Sequence, residues 1–326
     1  MKKSIDTVFI SAFADEMKSY LDLRRAEGHH YSKERHYLRS LDQYLVFKGI
    51  TEKRLDISVI ECWLADMQGE RNVNTKIVYI SHYTQFAKYL HSLGYEAFIP
   101  ERPMDDKSYI PYVFTESEIK RIFKVADNLS HNQNITFSSL HFPILLRILY
   151  GCGLRVNEAL GLRICDVDLD SNSLMIYNAK GNMDRLVPMD SVLGDILSKY
   201  IAKLGDTSSN SLLFANGKGE RHSLTKFRFW FNKTLEAADI EKPVLPKYSR
   251  NICPHCLRHT FAVHSFRKQD LAGVDMYASA PLLSTFLGHK RAYGTQAYLH
   301  MTAENSEDMI NKTAAYTTWL FPRVPA

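Results

Sequence analysis

The sequence predicts a mainly α-helical protein of two domains that carries one small antiparallel sheet. Three observations lead there. Apolar residues recur at helical spacing through most of the chain. Pro100, Pro103 and Pro111 break that pattern within a short stretch. One segment, residues 173–189, reads as a β-hairpin. Length agrees, since 326 residues are enough for two separate cores.

In the first hundred residues, Phe9, Phe13, Met17, Tyr20 and Leu21 share one helical face, and the segment EGHH ends the run. A second helix is expected from Ser32, whose hydroxyl can cap the first turn, through Tyr37, Leu38, Leu41, Tyr44 and Leu45 to Gly49. Two more span Val59 to Met67 and Thr75 to Leu93. Residues 1–96 therefore form an all-helical domain. Residues 97–111, with their prolines and the charged run MDDK, form a connector. The second domain, 112–326, opens on a capping box in which Thr115 and Glu118 each satisfy an amide of the new helix. Helices dominate it except at 173–189, where two β-leaning runs flank a Gly181–Asn182 turn.

With 45% hydrophobic and 24% charged residues the chain is neither disordered nor fibrous. No apolar run approaches the roughly 18 to 20 residues that cross a bilayer, so no membrane association is expected. Asp15, Glu16 and Lys18 interrupt the first apolar stretch too early for a secretory signal, which makes the cytoplasm the expected location. Five scattered cysteines do not read as a disulfide framework, in keeping with a reducing compartment. A net charge of +5 leans toward a polyanionic partner. The excess is confined to the C-terminal part: residues 1–110 hold 16 basic and 16 acidic side chains, the remainder 25 and 20.

The polar residues of the second domain are ordinary one at a time, but their order is not. In PHCLRHTFAVH, His255 stands one helical turn before Arg258, so both can project toward one target. In GCGLRVNEALGL, Arg155 and Glu158 have the same relation. FLGHKRAYGTQAYLH holds His289 and, nine residues on, Tyr298.

Over most of residues 112–304 these motifs together resemble the tyrosine recombinase, or phage integrase, family. The resemblance implies a catalytic set of Arg155, Lys180, His255, Arg258, His289 and Tyr298, with Glu158 beside it. Lys180 matches the family's lysine at a hairpin turn, in AKGNMDRLVP. The segment from Gly273 to Gly288 is longer than in the commonest members and resembles a transposon-type or accessory integrase subgroup. The helical N-terminal region is similar to the family's core-binding domain in position and helix content, which implies two domains that clamp DNA.

Chemistry explains the residue types. A phosphodiester under attack becomes a five-coordinate phosphorane, whose two non-bridging oxygens suit the guanidinium forks of Arg155 and Arg258. A tyrosine hydroxyl titrates near 10, so Tyr298 needs a base or a cationic field to act as nucleophile. His255 is the candidate base and His289 a further donor to the phosphate. The departing 5′ oxygen needs a proton, which the resemblance assigns to Lys180. Glu158 repels a phosphate and reads instead as an orienting group for the arginines or His255. The 3′-phosphotyrosine stores the bond energy, and a 5′ hydroxyl of another strand resolves it. No metal or nucleotide cofactor is expected. The partners implied are double-stranded DNA recombination sites, a homo-tetramer of this chain on DNA, and accessory recombinases or directionality factors.

Blander readings stand beside these. His259 and His264 read as satisfied core or helix-capping histidines, Lys218 rivals Lys180, and Tyr293 is the nearest competitor of Tyr298. The CPHC segment, residues 253–256, suggests zinc but lacks a second cysteine pair, which leaves Cys253 and Cys256 as bystanders. The tail after Glu304 carries Met309, Ile310, Trp319, Leu320 and Phe321, a cluster expected to dock on a neighbouring subunit or on its own domain. A type IB topoisomerase uses a similar residue set and would relax supercoils without a target site. A non-catalytic DNA-binding protein of the same fold would need no nucleophile.

Overall fold

The computed structural model describes residues 9–27, 32–66, 73–104, 110–129, 137–179, 183–205, 207–244 and 251–288, together with Thr295, Tyr298 and Leu299. Lys180, His289, the Gly181–Asn182 turn and the tail after Glu304 lie outside them. The chain divides into two compact units between Tyr109 and Ile110.

The first unit is built from α1 (Ala14–Ala26), α2 (Ser32–Phe47), α3 (Ile57–Asp66) and α4 (Val73–Ser92). Its core collects Phe13, Met17, Leu41, Leu45, Trp63, Tyr83 and Phe86, the residues that recur at helical spacing. Phe9 and Phe13 belong to that core although the helix begins only at Ala14. The reason is Asp42 on α2. Its buried carboxylate accepts from the amides of Ile10 at 3.1 Å and Ser11 at 2.8 Å, and so pins the lead-in segment before the helix starts. A second polar tie joins Glu16 to Lys53 Nζ at 2.5 Å and to the Tyr95 hydroxyl at 2.8 Å. Packing runs past the boundary expected at residue 96. Ala97 is buried, it bridges Leu55 in parallel, and Phe98 accepts the Tyr83 hydroxyl at 2.7 Å. The apolar triplet Ala97–Ile99 thus belongs to the first unit rather than to the connector.

The second unit begins with α5 (Glu116–Asp127), whose capping box between Thr115 and Glu118 is present in both directions. α6 (Phe142–Gly151) is buried nearly all round and forms the centre of the larger core. After α7 (Val156–Leu160) comes a sheet of β1 (Val167–Asp168), β2 (Ser173–Ala179) and β3 (Met183–Pro188), antiparallel and in chain order. Leu174, Ile176 and Val187 face the core, while Tyr177 and Leu186 face out. α8 (Ser191–Leu204), α9 (Leu224–Ala237), α10 (His255–Leu271) and α11 (Met276–Leu287) complete the unit. α10 and α11 pack on each other through Ala262, Phe266, Leu283 and Leu287, a cluster that also takes in Tyr298 and Leu299. Among the described residues no helix is long and apolar enough to cross a membrane.

Removing the Asp42 carboxylate strands two amides at the start of the first unit. Asp42→Ala is expected to lower its stability by about 2 to 3 kcal/mol, since hydrogen bonds to charged groups are the stronger kind. Asp42→Asn, which keeps an acceptor, should lose a smaller part. Urea unfolding followed through Trp63 fluorescence measures both, and equal stability of Asp42→Ala and wild type would refute the role.

Candidate active site

α11 ends at Gly288, which adopts φ +65°, a left-handed conformation that favours glycine. A helix end of this kind leaves its last carbonyls without intrahelical partners. Here three arginines take three of them in succession. Arg185 Nε donates to Phe286 O at 3.0 Å, Arg258 to Leu287 O at 2.5 Å, and Arg155 to Gly288 O at 3.4 Å. The side chains arrive from β3, α10 and the residue before α7, so one helix end gathers three remote parts of the chain.

Glu158 joins two of the three. It stands at the third position of α7 and reaches back to the Arg155 amide at 2.9 Å, while its other oxygen takes the Arg155 guanidinium at 2.7 Å. Arg185 donates to both oxygens, at 2.8 and 3.3 Å. The Glu158 side chain is only 8% exposed. Burial alone would raise its pKa, but hydrogen bonds from Arg185 and then Arg155 outweigh burial and hold the carboxyl at about 2.

Arg258 is 1% exposed. Besides Leu287 O it donates to Gly153 O at 2.9 Å. Gly153 has φ +57°, and a Cβ there would lie 2.5 Å from the Phe261 ring and 2.9 Å from Leu287, so the close approach also requires glycine. Burial, then the neighbouring Arg155 charge, lowers the Arg258 pKa to about 10, which leaves it cationic at neutral pH.

Tyr298 is 4% exposed, and its hydroxyl lies 2.8 Å from His259 Nδ1. Burial raises its pKa, opposed by the charges of Arg258 and Arg155 and by a hydrogen bond from Arg258. Arginine only donates, so the phenol oxygen accepts from Arg258, and its own O–H is left able to donate to His259 Nδ1. The His255 ring meets the His259 ring edge to face, with centroids 4.6 Å apart.

Of the residues singled out in the sequence, Arg155, Glu158, Arg258 and Tyr298 come together, with His255 one ring away. Lys180 and His289 fall outside the described residues. Two residues of the cluster escaped the sequence reading. His259, read there as a satisfied core or capping histidine, touches the Tyr298 hydroxyl, and Arg185 completes the triple clamp on α11. His259 follows His255 by four positions, the spacing of one helical face. Arg185 lies two residues before Val187 on β3, and strand alternation puts both on the inward face.

A profile of the phage integrase family matches residues 112–305. The chain is 29% identical over 250 residues to the tyrosine recombinase XerA of Pyrococcus horikoshii, covering 77% of this chain and 76% of that one. It is 29% identical over 289 residues to a tyrosine recombinase of Thermosipho africanus, covering 85% and 91%. The fold is similar to that of the Tn1549 transposon integrase, solved with transposon right end DNA, at a TM-score of 0.63 and 15% identity over 94% of this chain and 99% of the other.

The Glu158 carboxyl titrates well below the ordinary carboxylate range, so its contribution to stability is complete above about pH 5 and is lost as pH falls toward about 2. Glu158→Gln should be less stable than wild type at neutral pH, with the gap closing by about 3 kcal/mol across that window. Urea midpoints measured between pH 7 and pH 2 test it. A gap that stays constant with pH would show that the carboxylate is not held by the arginines.

Proposed function

The chain belongs to the phage integrase family and is a tyrosine recombinase, and on that premise we propose that Tyr298 attacks the scissile phosphate of a DNA recombination site. The observation that carries the assignment is the Tyr298 hydroxyl, set between Arg258 and His259 Nδ1 at 2.8 Å. In the attack the Tyr298 oxygen bonds to phosphorus, its proton passes to His259, and the bond from phosphorus to the 5′ oxygen breaks. His255, edge-on to His259, is kept for the phosphate or as a second acceptor. Lys180 protonates the departing 5′ oxygen. A 5′ hydroxyl from the partner strand then reverses each step on the phosphotyrosine and rejoins the DNA.

Arg155 and Arg258 bind the phosphoryl oxygens. Arg155 has the more open side chain, 23% exposed, and is the first to meet an incoming phosphate. Arg185 and Glu158 do not reach the phosphate in this reading; they hold the Arg155 fork in one orientation. Burial keeps Tyr298 protonated at rest, so the hydroxyl acts only once DNA draws it toward the phosphate. His289, one residue after the Gly288 turn, is assigned as a further phosphate donor from its place in the sequence. We assign DNA gripping to the helical first unit and catalysis to residues 112–326. Synapsis of two sites by four copies of the chain, with accessory recombinases or directionality factors, completes the proposal.

Wild type should form a covalent adduct with a nicked suicide duplex, visible on a denaturing gel. Tyr298→Phe should bind the same duplex and form none, and an adduct in the variant would remove Tyr298 as nucleophile.

Acid and base separate on a substrate whose 5′ bridging oxygen is replaced by sulfur, because that leaving group needs no proton. Lys180→Ala and His259→Ala should each slow cleavage of the ordinary substrate by about 10²- to 10⁴-fold. The sulfur substrate should restore Lys180→Ala and leave His259→Ala slow. Rescue of both, or of neither, counts against these roles.

A further inference from the structure

Residues 253–256, Cys-Pro-His-Cys, sit where α10 begins and have no part in the chemistry above. Cys256 is wholly buried and Cys253 half-buried, so of the two only Cys253 is open to a reagent. The two cysteines fold onto each other. The Cys253 amide donates to Cys256 Sγ at 3.4 Å, and the Cys256 amide donates to Cys253 O at 2.8 Å. Pro254 occupies the N-cap position and supplies no side-chain acceptor. The Cys253 sulfur lies close enough to the Cys256 thiol and the first amides of α10 to interact with them. The thiol hydrogen bond from Cys256, ahead of the two amides and the Arg228 charge, pulls the Cys253 pKa down; the same bond, with burial, pushes Cys256 up. An accessible sulfur stabilised as thiolate beside a buried thiol is the arrangement that thiol–disulfide exchange requires.

We propose that Cys253 and Cys256 are a redox-active dithiol, a site of exchange with low-molecular-weight disulfides of the glutathione type. The Cys253 thiolate attacks one sulfur of the reagent, forms a mixed disulfide and expels a thiolate that takes up a proton. Cys256 then loses its proton, attacks Cys253 Sγ and expels the second thiol. Two protein thiols are oxidised and one reagent disulfide is reduced to two thiols.

Closing the bond reaches the active site through geometry. A disulfide needs Cβ atoms about 3.5 to 4.5 Å apart, and Cys253 lies just before α10 while Cys256 stands in its first turn. Closing the bond ties the segment before the helix to the first turn of α10. His255 stands between the two cysteines in the chain and moves with them. Arg258, one turn on, is anchored by Gly153 O and Leu287 O. Oxidation displaces His255, and with it the ring that supports His259, relative to a fixed Arg258. This gating step rests on the recombinase reading, whereas the exchange chemistry does not.

Incubating the full chain in glutathione buffers of rising disulfide content, followed by peptide mass spectrometry, tests the site. Wild type should lose two hydrogens across the Cys253–Cys256 peptide without accumulating glutathione. Cys256→Ser should trap a glutathione adduct on Cys253, and Cys253→Ser should leave Cys256 unmodified. Absence of the internal bond, or modification confined to Cys62 and Cys165, overturns the proposal. In the suicide-substrate assay the oxidised wild type should cleave about tenfold or more slowly and recover with dithiothreitol, while Cys253→Ser ignores oxidation. Equal cleavage by the oxidised and reduced forms overturns the gating. A reduced protein that forms no phosphotyrosine adduct at all would instead count against the recombinase reading, and the peptide masses would still decide the dithiol.

Discussion

The end of α11 is the point on which the site depends. A helix C-terminus presents unpaired carbonyls and the negative end of the peptide dipoles, so it attracts cations. Phe286, Leu287 and Gly288 receive Arg185, Arg258 and Arg155 in succession. Three guanidinium groups crowded together would repel one another. The carbonyl dipoles and the single carboxylate of Glu158 offset that repulsion without neutralising it. Three positive charges against one negative leave an excess within a largely buried site, and the ligand that relieves it is an anion able to accept paired hydrogen bonds. A phosphodiester is such an anion, and its charge grows in the transition state, where fixed donors act most strongly.

The same burial restrains Tyr298. Packed among Val263, Phe266 and Leu287, Tyr298 is costly to ionise in the free protein, although two arginines pull the other way. The balance keeps the phenol protonated, with His259 Nδ1 within hydrogen-bond distance of its oxygen. Once a phosphate takes up part of the arginine charge, deprotonation has to be coupled to attack, because a free phenolate has lost its counterion. A buried and protonated tyrosine therefore favours concerted proton transfer to His259 over a standing pool of reactive phenolate.

Much of this was legible in the sequence, and the gaps have physical causes. Helix content, the hairpin at 173–189 and the capping box at Thr115 follow local rules of period and capping, which one sequence displays. Arg155, Glu158, Arg258 and Tyr298 stand in motifs whose order resembles that of the phage integrase family, and that resemblance singles them out. Arg185 was missed because its role comes from long-range packing: β3 carries an arginine on its inward face and Leu186 outward, the reverse of what binary patterning leads one to expect. His259 was passed over because the His255–Arg258 pair drew attention to one spacing, while the four-residue repeat from His255 to His259 also fits the helix. The domain boundary slipped by a few residues because Pro100 marks where the helix pattern ends, whereas Ala97 and Phe98 before it still pack as core.

α10 concentrates these constraints. Cys253 precedes its first turn, His255 and Cys256 open that turn, and within one further turn Arg258 reaches two carbonyls and His259 the Tyr298 hydroxyl. Arg258 cannot shift without stranding Gly153 O and Leu287 O, and a Cβ at Gly153 would strike Phe261. Downstream of Arg258 the helix is held by Phe266 and Val263 against α11. The N-terminal turn starts from a proline and has no side-chain oxygen as a cap. A small chemical change at that turn therefore alters the relation of the histidines to the arginines while the rest of the catalytic core stays in place. α10 thus carries both Arg258, proposed for the phosphate, and His259, proposed for the proton, within two consecutive residues.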